Sequence, residues 1–365
     1  MKINKQLPMK KLMKPLGLLF CMAAIVSCSK KDQPLPVDVT PINPLSDYTI
    51  TPDAADGFTY KFGNLAKNDT RLEWRFGDDS ISTDTNPTHT YQTTGLYTAD
   101  LETFSKTGGT SHKYTDLRID PDKILQATAV KTEVLYQLQF GINIKAKIKS
   151  VAWTFNAVDP VTANVTTTTS TSLTPLVSFA YGSFNNFSLT VTTDKGSVAT
   201  INKSVTTDGI ETDVTQTNIG YSVTYDNTDN TNENAAKLID NNTQTKFGYY
   251  SAFPGDENIQ LTFPAPIAVK LYAIENGNDS ESTRDPKEWY IEGSNDGGTT
   301  WSTVDHQNLT IGFADYLTSI GQNATRYFRY FYYPIATPKP YSMYRWRIVS
   351  TFAGAFQIEE FKLFE

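Results

Sequence analysis

Arg284-Asp285-Pro286-Lys287-Glu288-Trp289-Tyr290-Ile291-Glu292-Gly293-Ser294-Asn295-Asp296-Gly297-Gly298-Thr299-Thr300-Trp301 is the stretch that decides the fold. Trp289 and Ile291 alternate with Glu288, Tyr290 and Glu292, the period-two pattern of a half-buried strand. The strand runs into Gly293 to Gly298, a cluster that favours positive φ and a tight reversal into a second strand at Trp301. The rest of the chain agrees with this hairpin. It holds 20 Tyr and 20 Phe with abundant Thr and shows no long apolar run at helical period, so all-β domains are expected. A length of 365 residues predicts two or three of them.

Residues 1–27 contain Lys2, Lys5, Lys10, Lys11 and Lys14 and no acid, so removing them takes the formal charge from −7 to −12. An acidic mature chain argues against nucleic acid or anionic lipid as partner. After the lysines comes an apolar run, Leu16 to Val26, too short to span a bilayer and suited to a signal-peptide core. It ends Ile25-Val26-Ser27-Cys28, which resembles a bacterial lipobox. That resemblance implies a lipid anchor at Cys28 and a lipoprotein of the outer membrane. Lys30-Lys31 departs from the acidic tag of surface-exported lipoproteins, so exposure at the cell surface stays open. Cys21 leaves with the leader, and the mature chain then has no disulfide. Residues 28–46, with four prolines after position 33, form a semi-rigid tether.

Residues 47–120 carry Trp74-Arg-Phe76-Gly-Asp-Asp79, then Pro87-Thr-His89-Thr-Tyr91, then Gly95-Leu-Tyr97-Thr-Ala-Asp-Leu101. These ordered signatures resemble the PKD domain, an immunoglobulin-like sandwich in which His89 is structural. Residues 121–212 repeat the plan in degenerate form. Val151-Ala-Trp153-Thr-Phe155 echoes Leu72 to Phe76, without the Gly-Asp turn.

From residue 213 to 365 the chain resembles the coagulation-factor C-type (discoidin-like) domains, which include the family 32 carbohydrate-binding modules. The resemblance rests on the 286–298 hairpin, on Asp240-Asn-Asn-Thr-Gln-Thr245-Lys-Phe247, on Tyr341-Ser-Met-Tyr344-Arg345-Trp346-Arg-Ile348, and on Gln357 to Phe364. It implies an eight-stranded jelly roll that binds ligands at loop tips and catalyses nothing. It also implies one structural calcium held by Asp240, Asn242, Thr245 and Glu360. Hard oxygen donors of this kind suit calcium. Asn241 stands where the family has Gly and Phe247 where it has Trp, and a hydrogen-bonded Asx loop without metal is the alternative.

Sugars are held by aromatic faces and planar hydrogen-bonding groups. Tyr249, Tyr250, Phe253, Asn276, Arg284, Phe352 and Phe356 fall on loops that meet at one barrel end in the resembling fold, so they are the candidate glycan-binding residues. Phe352 or Phe356 could instead plug the barrel. No nucleophile elbow, P-loop, zinc His pair or dinucleotide fingerprint occurs, and the histidines at 89, 112 and 306 are scattered. The expectation is therefore a non-catalytic, lipid-anchored envelope protein that binds glycan, with PKD-type domains as its stalk. The competing class is an adhesion or structural lipoprotein whose last domain binds a protein or another envelope component. If Cys28 carries the anchor, Cys28→Ala should move the protein from the membrane fraction to the soluble fraction; unchanged sedimentation would refute it.

Overall fold

The computed structural model describes residues 43–249, 253–277, 279, 283–325 and 328–365. Cys28 and Tyr250 lie outside the described residues. The chain is all-β, built as three successive pairs of facing sheets.

The first pair uses β1 (Tyr48–Pro52), β2 (Thr59–Asn64), β3 (Arg71–Arg75), β4 (Ile81–Ser82), β5 (Thr88–Thr90), β6 (Gly95–Phe104) and β7 (Thr110–Ile119). The strand orders are β1-β2-β5 and β4-β3-β6-β7. Trp74 and Phe76 point inward as their alternation predicts, and Phe62 from the opposite sheet meets the Trp74 ring at 5.6 Å. His89 stacks on Phe76 at 4.2 Å and its Nε2 lies 2.8 Å from Asp78, so it closes the turn after β3.

A short helix α1 (Pro121–Ile124) leads into the second pair. This pair has β8 (Leu125–Lys131), β9 (Gln137–Ile144), β10 (Ile148–Val158), β11 (Val165–Ser170), β12 (Leu176–Ser178), β13 (Asn185–Thr193), β14 (Val198–Val205) and β15 (Ile210–Glu211). Its orders, β12-β9-β8 and β11-β10-β13-β14-β15, reproduce the first pair with β15 added at the edge. The repeat extends to side chains. The Trp74 and Trp153 indoles each donate 2.9 Å hydrogen bonds to a following loop carbonyl, of Asp84 and Ser172 respectively. Phe140 meets Trp153 at 5.6 Å as Phe62 meets Trp74.

The third pair comprises β16 (Gly220–Val223), β17 (Phe247–Tyr249), β18 (Glu257–Ile267), β19 (Leu271–Asn276), β20 (Pro286–Ser294), β21 (Ser302–Asn308), β22 (Tyr330–Pro334), β23 (Tyr341–Thr351) and β24 (Phe356–Phe364). The sheets run β16-β18-β23-β20-β21 and β17-β24-β19-β22, a jelly-roll sandwich. The three-residue β17 brings the strand count among the described residues to nine. β20 and β21 form the hairpin expected from the sequence, pairing Glu288 with Asn308 through Gly293 with Ser302. Trp289, Trp346, Phe361 and Tyr272 fill the space between the sheets. One seven-residue helix, α2 (Phe313–Ser319), packs outside them between β21 and β22.

The sandwiches are docked on one another. Ser197 Oγ donates to the Tyr91 carbonyl at 2.8 Å, and Lys195 pairs with Asp56 at 2.7 Å, joining the first two. Between the second and third, the Tyr330 amide donates to the Gly182 carbonyl at 2.8 Å. The buried Arg329 donates through Nη1 to the Tyr181 carbonyl at 2.8 Å, and the Tyr332 hydroxyl donates to the Ser183 carbonyl at 3.0 Å. Gly182 is required at this seam. Its φ is +77°, and a Cβ there would fall 2.5 Å from Cγ of Arg329.

Glu257, Glu275 and Glu360 lie inside the third sandwich, each fully buried. Burial pushes Glu257 up to about 7, although the Tyr225 and Thr224 amides and the Tyr249 hydroxyl favour its charged form. Burial likewise pushes Glu275 up to about 8.

Two predictions follow from packing and burial. Gly182→Ala should lower stability by roughly 1–3 kcal/mol through overpacking and a disfavoured φ, read as a lower urea midpoint; wild-type stability would show that the seam yields freely. The buried acids set the sign of the pH dependence. Their folded pKa values exceed the unfolded ones, so their contribution is complete below the unfolded value and is lost as pH rises through about 7 to 8. The melting temperature should therefore fall between about pH 5 and about pH 8, with Glu257 alone accounting for roughly 3 kcal/mol. Glu257→Gln should flatten that fall, and an unaltered pH profile in the variant would contradict the assignment.

Candidate ligand-binding site

Three chain reversals of the jelly roll meet at one end. The β17–β18 connection, the β19–β20 connection and the β23–β24 turn are joined by backbone hydrogen bonds. The Phe253 amide donates to the Gly354 carbonyl. The Ala353 amide donates to the Thr283 carbonyl at 3.0 Å, and the Phe352 amide donates to the Asp285 carbonyl at 3.2 Å. Main-chain bonds of this kind hold the loops in a fixed relation whatever their side chains do.

Phe253, Arg284 and Phe352 thereby sit on adjoining loops, all half-buried. Phe352 is set apart from the apolar core, with the Lys287 ammonium 5.9 Å from its ring. Phe253 leans on Phe356 at 5.7 Å. Arg284 Nη1 donates to Gln357 Oε1 at 3.1 Å and lies 3.4 Å from Asp279 Oδ2, which also takes the Lys246 ammonium. The loops thus combine two rings with a guanidinium held in place by an amide and a carboxylate.

Other expected contact residues are placed elsewhere. Phe356 is fully buried, packed against Phe247 and Trp346, and plugs the barrel instead of facing a ligand. Asn276 is also buried, and its amide donates to Asp285 Oδ1. Asp285 Oδ2 accepts from the Phe313 amide at 2.7 Å, so Asn276 belongs to an internal network that fastens α2. Tyr249 turns its hydroxyl inward to Glu257 at 3.3 Å and supports these loops from behind. Tyr250 falls outside the described residues. Sequence reasoning overlooked Lys246, Lys287 and Gln357. Nothing in their local pattern marks them, since their neighbours come from distant segments.

The four residues expected to hold calcium do come together. Asp240 caps a 3₁₀ turn (Ala235–Ile239), and Asn241 takes φ of 57°, as a residue replacing glycine must. The Asn242 amide donates to Asp240 Oδ1 at 3.1 Å and to Glu360 Oε1 at 2.8 Å, so two carboxylates share one N–H. The Thr245 hydroxyl donates to Asp240 Oδ1 at 2.9 Å. Glu360 Oε2 is buried without a hydrogen-bond partner, 3.8 Å from the Lys362 ammonium. Burial pushes the Glu360 carboxyl up to about 8, with Lys362 opposing and Glu275 and Asp240 reinforcing the shift. Among the described residues no cluster of three His, Cys, Asp or Glu forms a metal-ready set. A cation here would therefore need amide, hydroxyl and main-chain oxygens beside the two carboxylates, a mixture that calcium accepts. The orphaned Glu360 oxygen and the carboxylate pair fit such an ion. Lys362 supplies part of the compensating charge without it.

The family model for the PKD domain matches residues 39–119. Over 40 residues the chain is 48% identical to a peptide-N(4)-(N-acetyl-beta-glucosaminyl)asparagine amidase of Arabidopsis thaliana, covering 11% of this chain and 5% of the relative. Over 91 residues it is 31% identical to a collagenase of Bacillus cereus, covering 24% of this chain and 9% of the relative. The chain thus spans under a tenth of the length of either curated relative. Among solved structures, a family 32 carbohydrate-binding module of C. perfringens in complex with galactose is similar, at 15% identity and TM-score 0.33. That match covers 43% of this chain and all of the module.

Proposed function

We propose that the C-terminal sandwich, residues 213–365, is a glycan-binding module of a non-catalytic lipoprotein. Its tether at 28–46 is anchored to the outer membrane through Cys28, and residues 47–120 and 121–212 form its stalk. The observation that carries this reading is the convergence of Phe253, Arg284 and Phe352 on loops tied by main-chain hydrogen bonds. A ring set apart from the core offers an apolar face to the C–H surface of a sugar. A guanidinium already fixed by Gln357 and Asp279 orients hydroxyls with little loss of side-chain freedom. In the same reading Asp240, Asn242, Thr245 and Glu360 hold a structural calcium. Bound there, the ion would satisfy the buried Glu360 carboxylate and pin the 240–245 loop to β24.

Titration of the full chain with an identified glycan tests both parts. Affinity near 1 mM corresponds to only about −4 kcal/mol, so loss of one stacking ring should bring binding below detection. Phe352→Ala and Arg284→Ala are each expected to do so while the fold persists. Calcium at a hundredfold excess over its dissociation constant should stabilise the chain by roughly 2.7 kcal/mol, lost in Asp240→Ala. Unaltered glycan affinity in both loop variants would place the site elsewhere. If no glycan binds, the adhesion reading replaces this one. Identical melting with calcium and with chelator would leave the 240–245 loop held by hydrogen bonds alone.

A further inference from the structure

A second concavity, with its own lining, lies where the second sandwich meets the jelly roll. Its volume is about 360 Å³, and Phe313, Phe331 and Tyr333 line it beside Tyr181, Tyr316 and Ile311. Cavities of roughly 300–1,000 Å³ are the usual size for small-molecule sites. Phe313 and Phe331 are buried and stacked on each other at 4.0 Å, which backs the cleft with packed apolar carbon, while the half-buried rings of Tyr181, Tyr332 and Tyr333 line it. Ile311 and Tyr316, 41% and 38% exposed, stand at the rim. The Tyr181 hydroxyl donates to the Tyr316 hydroxyl at 3.2 Å, so residues from both sandwiches close one side. Tyr181 is itself held by the Arg329 bond to its carbonyl, which sets the opening before any ligand arrives.

Among the described residues the lining contains no Asp, Glu, Lys or Arg. Burying a charged ligand against such walls would leave its charge unpaired, at high cost. The walls do carry hydroxyl and amide groups, from Tyr181, Tyr316, Thr310 and Asn308. Aromatic carbon with polar groups at the margin, and no ionic group among the described lining residues, matches a neutral ring bearing hydroxyls.

We propose that this junction cleft is a second binding site, taking a neutral pyranoside that contacts both sandwiches at once. It goes beyond the loop-face reading and shares with it only the class of ligand. The two sites differ in charge, since Arg284, Lys246, Lys287 and Asp279 surround the loop face.

The test uses the full chain with ¹³C-labelled tyrosine rings, the Tyr181 and Tyr316 signals being assigned from the Tyr→Phe variant at each position. The probes are the methyl pyranosides of glucose, galactose and mannose, with glucuronate as the charged control. At least one neutral pyranoside should shift both signals at concentrations up to about 50 mM, glucuronate should not, and Tyr316→Ala should weaken the response about tenfold. Ile311→Asp, which sets a charge at an exposed rim position, should have the same effect and guards against misfolding of a single variant. Arg284→Ala and Phe352→Ala should leave the response intact, which separates this site from the loop face. The proposal is overturned if no neutral pyranoside shifts the two signals, if glucuronate acts equally, if Tyr316→Ala and Ile311→Asp respond as wild type, or if the loop-face variants abolish the shifts.

Discussion

Moving an ionised side chain out of water is among the largest single costs in a fold, and it falls here on one strand. All nine residues of β24, Phe356 to Phe364, are buried, and Glu359, Glu360 and Lys362 are among them. Lys362 and Glu360 draw partners from other parts of the chain. The Lys362 ammonium reaches Asp213 Oδ2 at 3.2 Å and the Asn241 side chain, while Glu360 takes the Asn242 amide. The entry segment at Asp213 and the 240–245 loop are thereby fixed to β24. At the start of the same strand, Gln357 receives Arg284 from the loop face. The polar demands of β24 thus set the positions of the entry segment, the acidic loop and the candidate glycan-binding face together.

The same strand ties the jelly roll to its neighbour. The Val214 amide donates to the Leu363 carbonyl at 2.9 Å, and Phe184 of the second sandwich packs on Phe364 at 5.8 Å. With Arg329 and Tyr330 gripping residues 181–182, the seam is made of backbone bonds, a buried guanidinium and ring contacts. Backbone carbonyls at such a seam would be costly to leave unpaired, so it resists opening. A sandwich mounted this way is oriented by its support as well as joined to it.

Much of the fold was legible because it obeys period two. Trp74 and Phe76, Trp153 and Phe155, and Trp289 and Ile291 all face inward, as alternation on half-exposed strands predicts. Alternation fails where both faces are covered. Phe356 looks like a loop aromatic beside Gly354, yet it heads a strand buried on both sides, and Asn276 is hidden for the same reason at the end of β19. Composition gave no warning that Glu257 and Glu275 would be interior, since a lone Glu on a strand usually faces water. The junction cleft was illegible for another reason. Its walls come from residue 181 and from 308–333, and only the docking of two sandwiches creates it.

Asp285 shows how closely the two candidate sites are connected. Its carboxylate is fully buried, with Oδ1 taking the Asn276 amide and Oδ2 the Phe313 amide, while its carbonyl takes the Phe352 amide. Phe352 is the ring set apart from the core at the loop face, and Phe313 backs the junction cleft. A buried carboxylate held by two donors cannot shift without leaving one of them unpaired in a dry interior, which costs about 1–3 kcal/mol or more. That penalty favours one position for both rings. Residue 285 therefore acts as a fixed post between the sites. A ligand at either one would meet a surface whose geometry was set during folding, so less order would have to be created on its arrival.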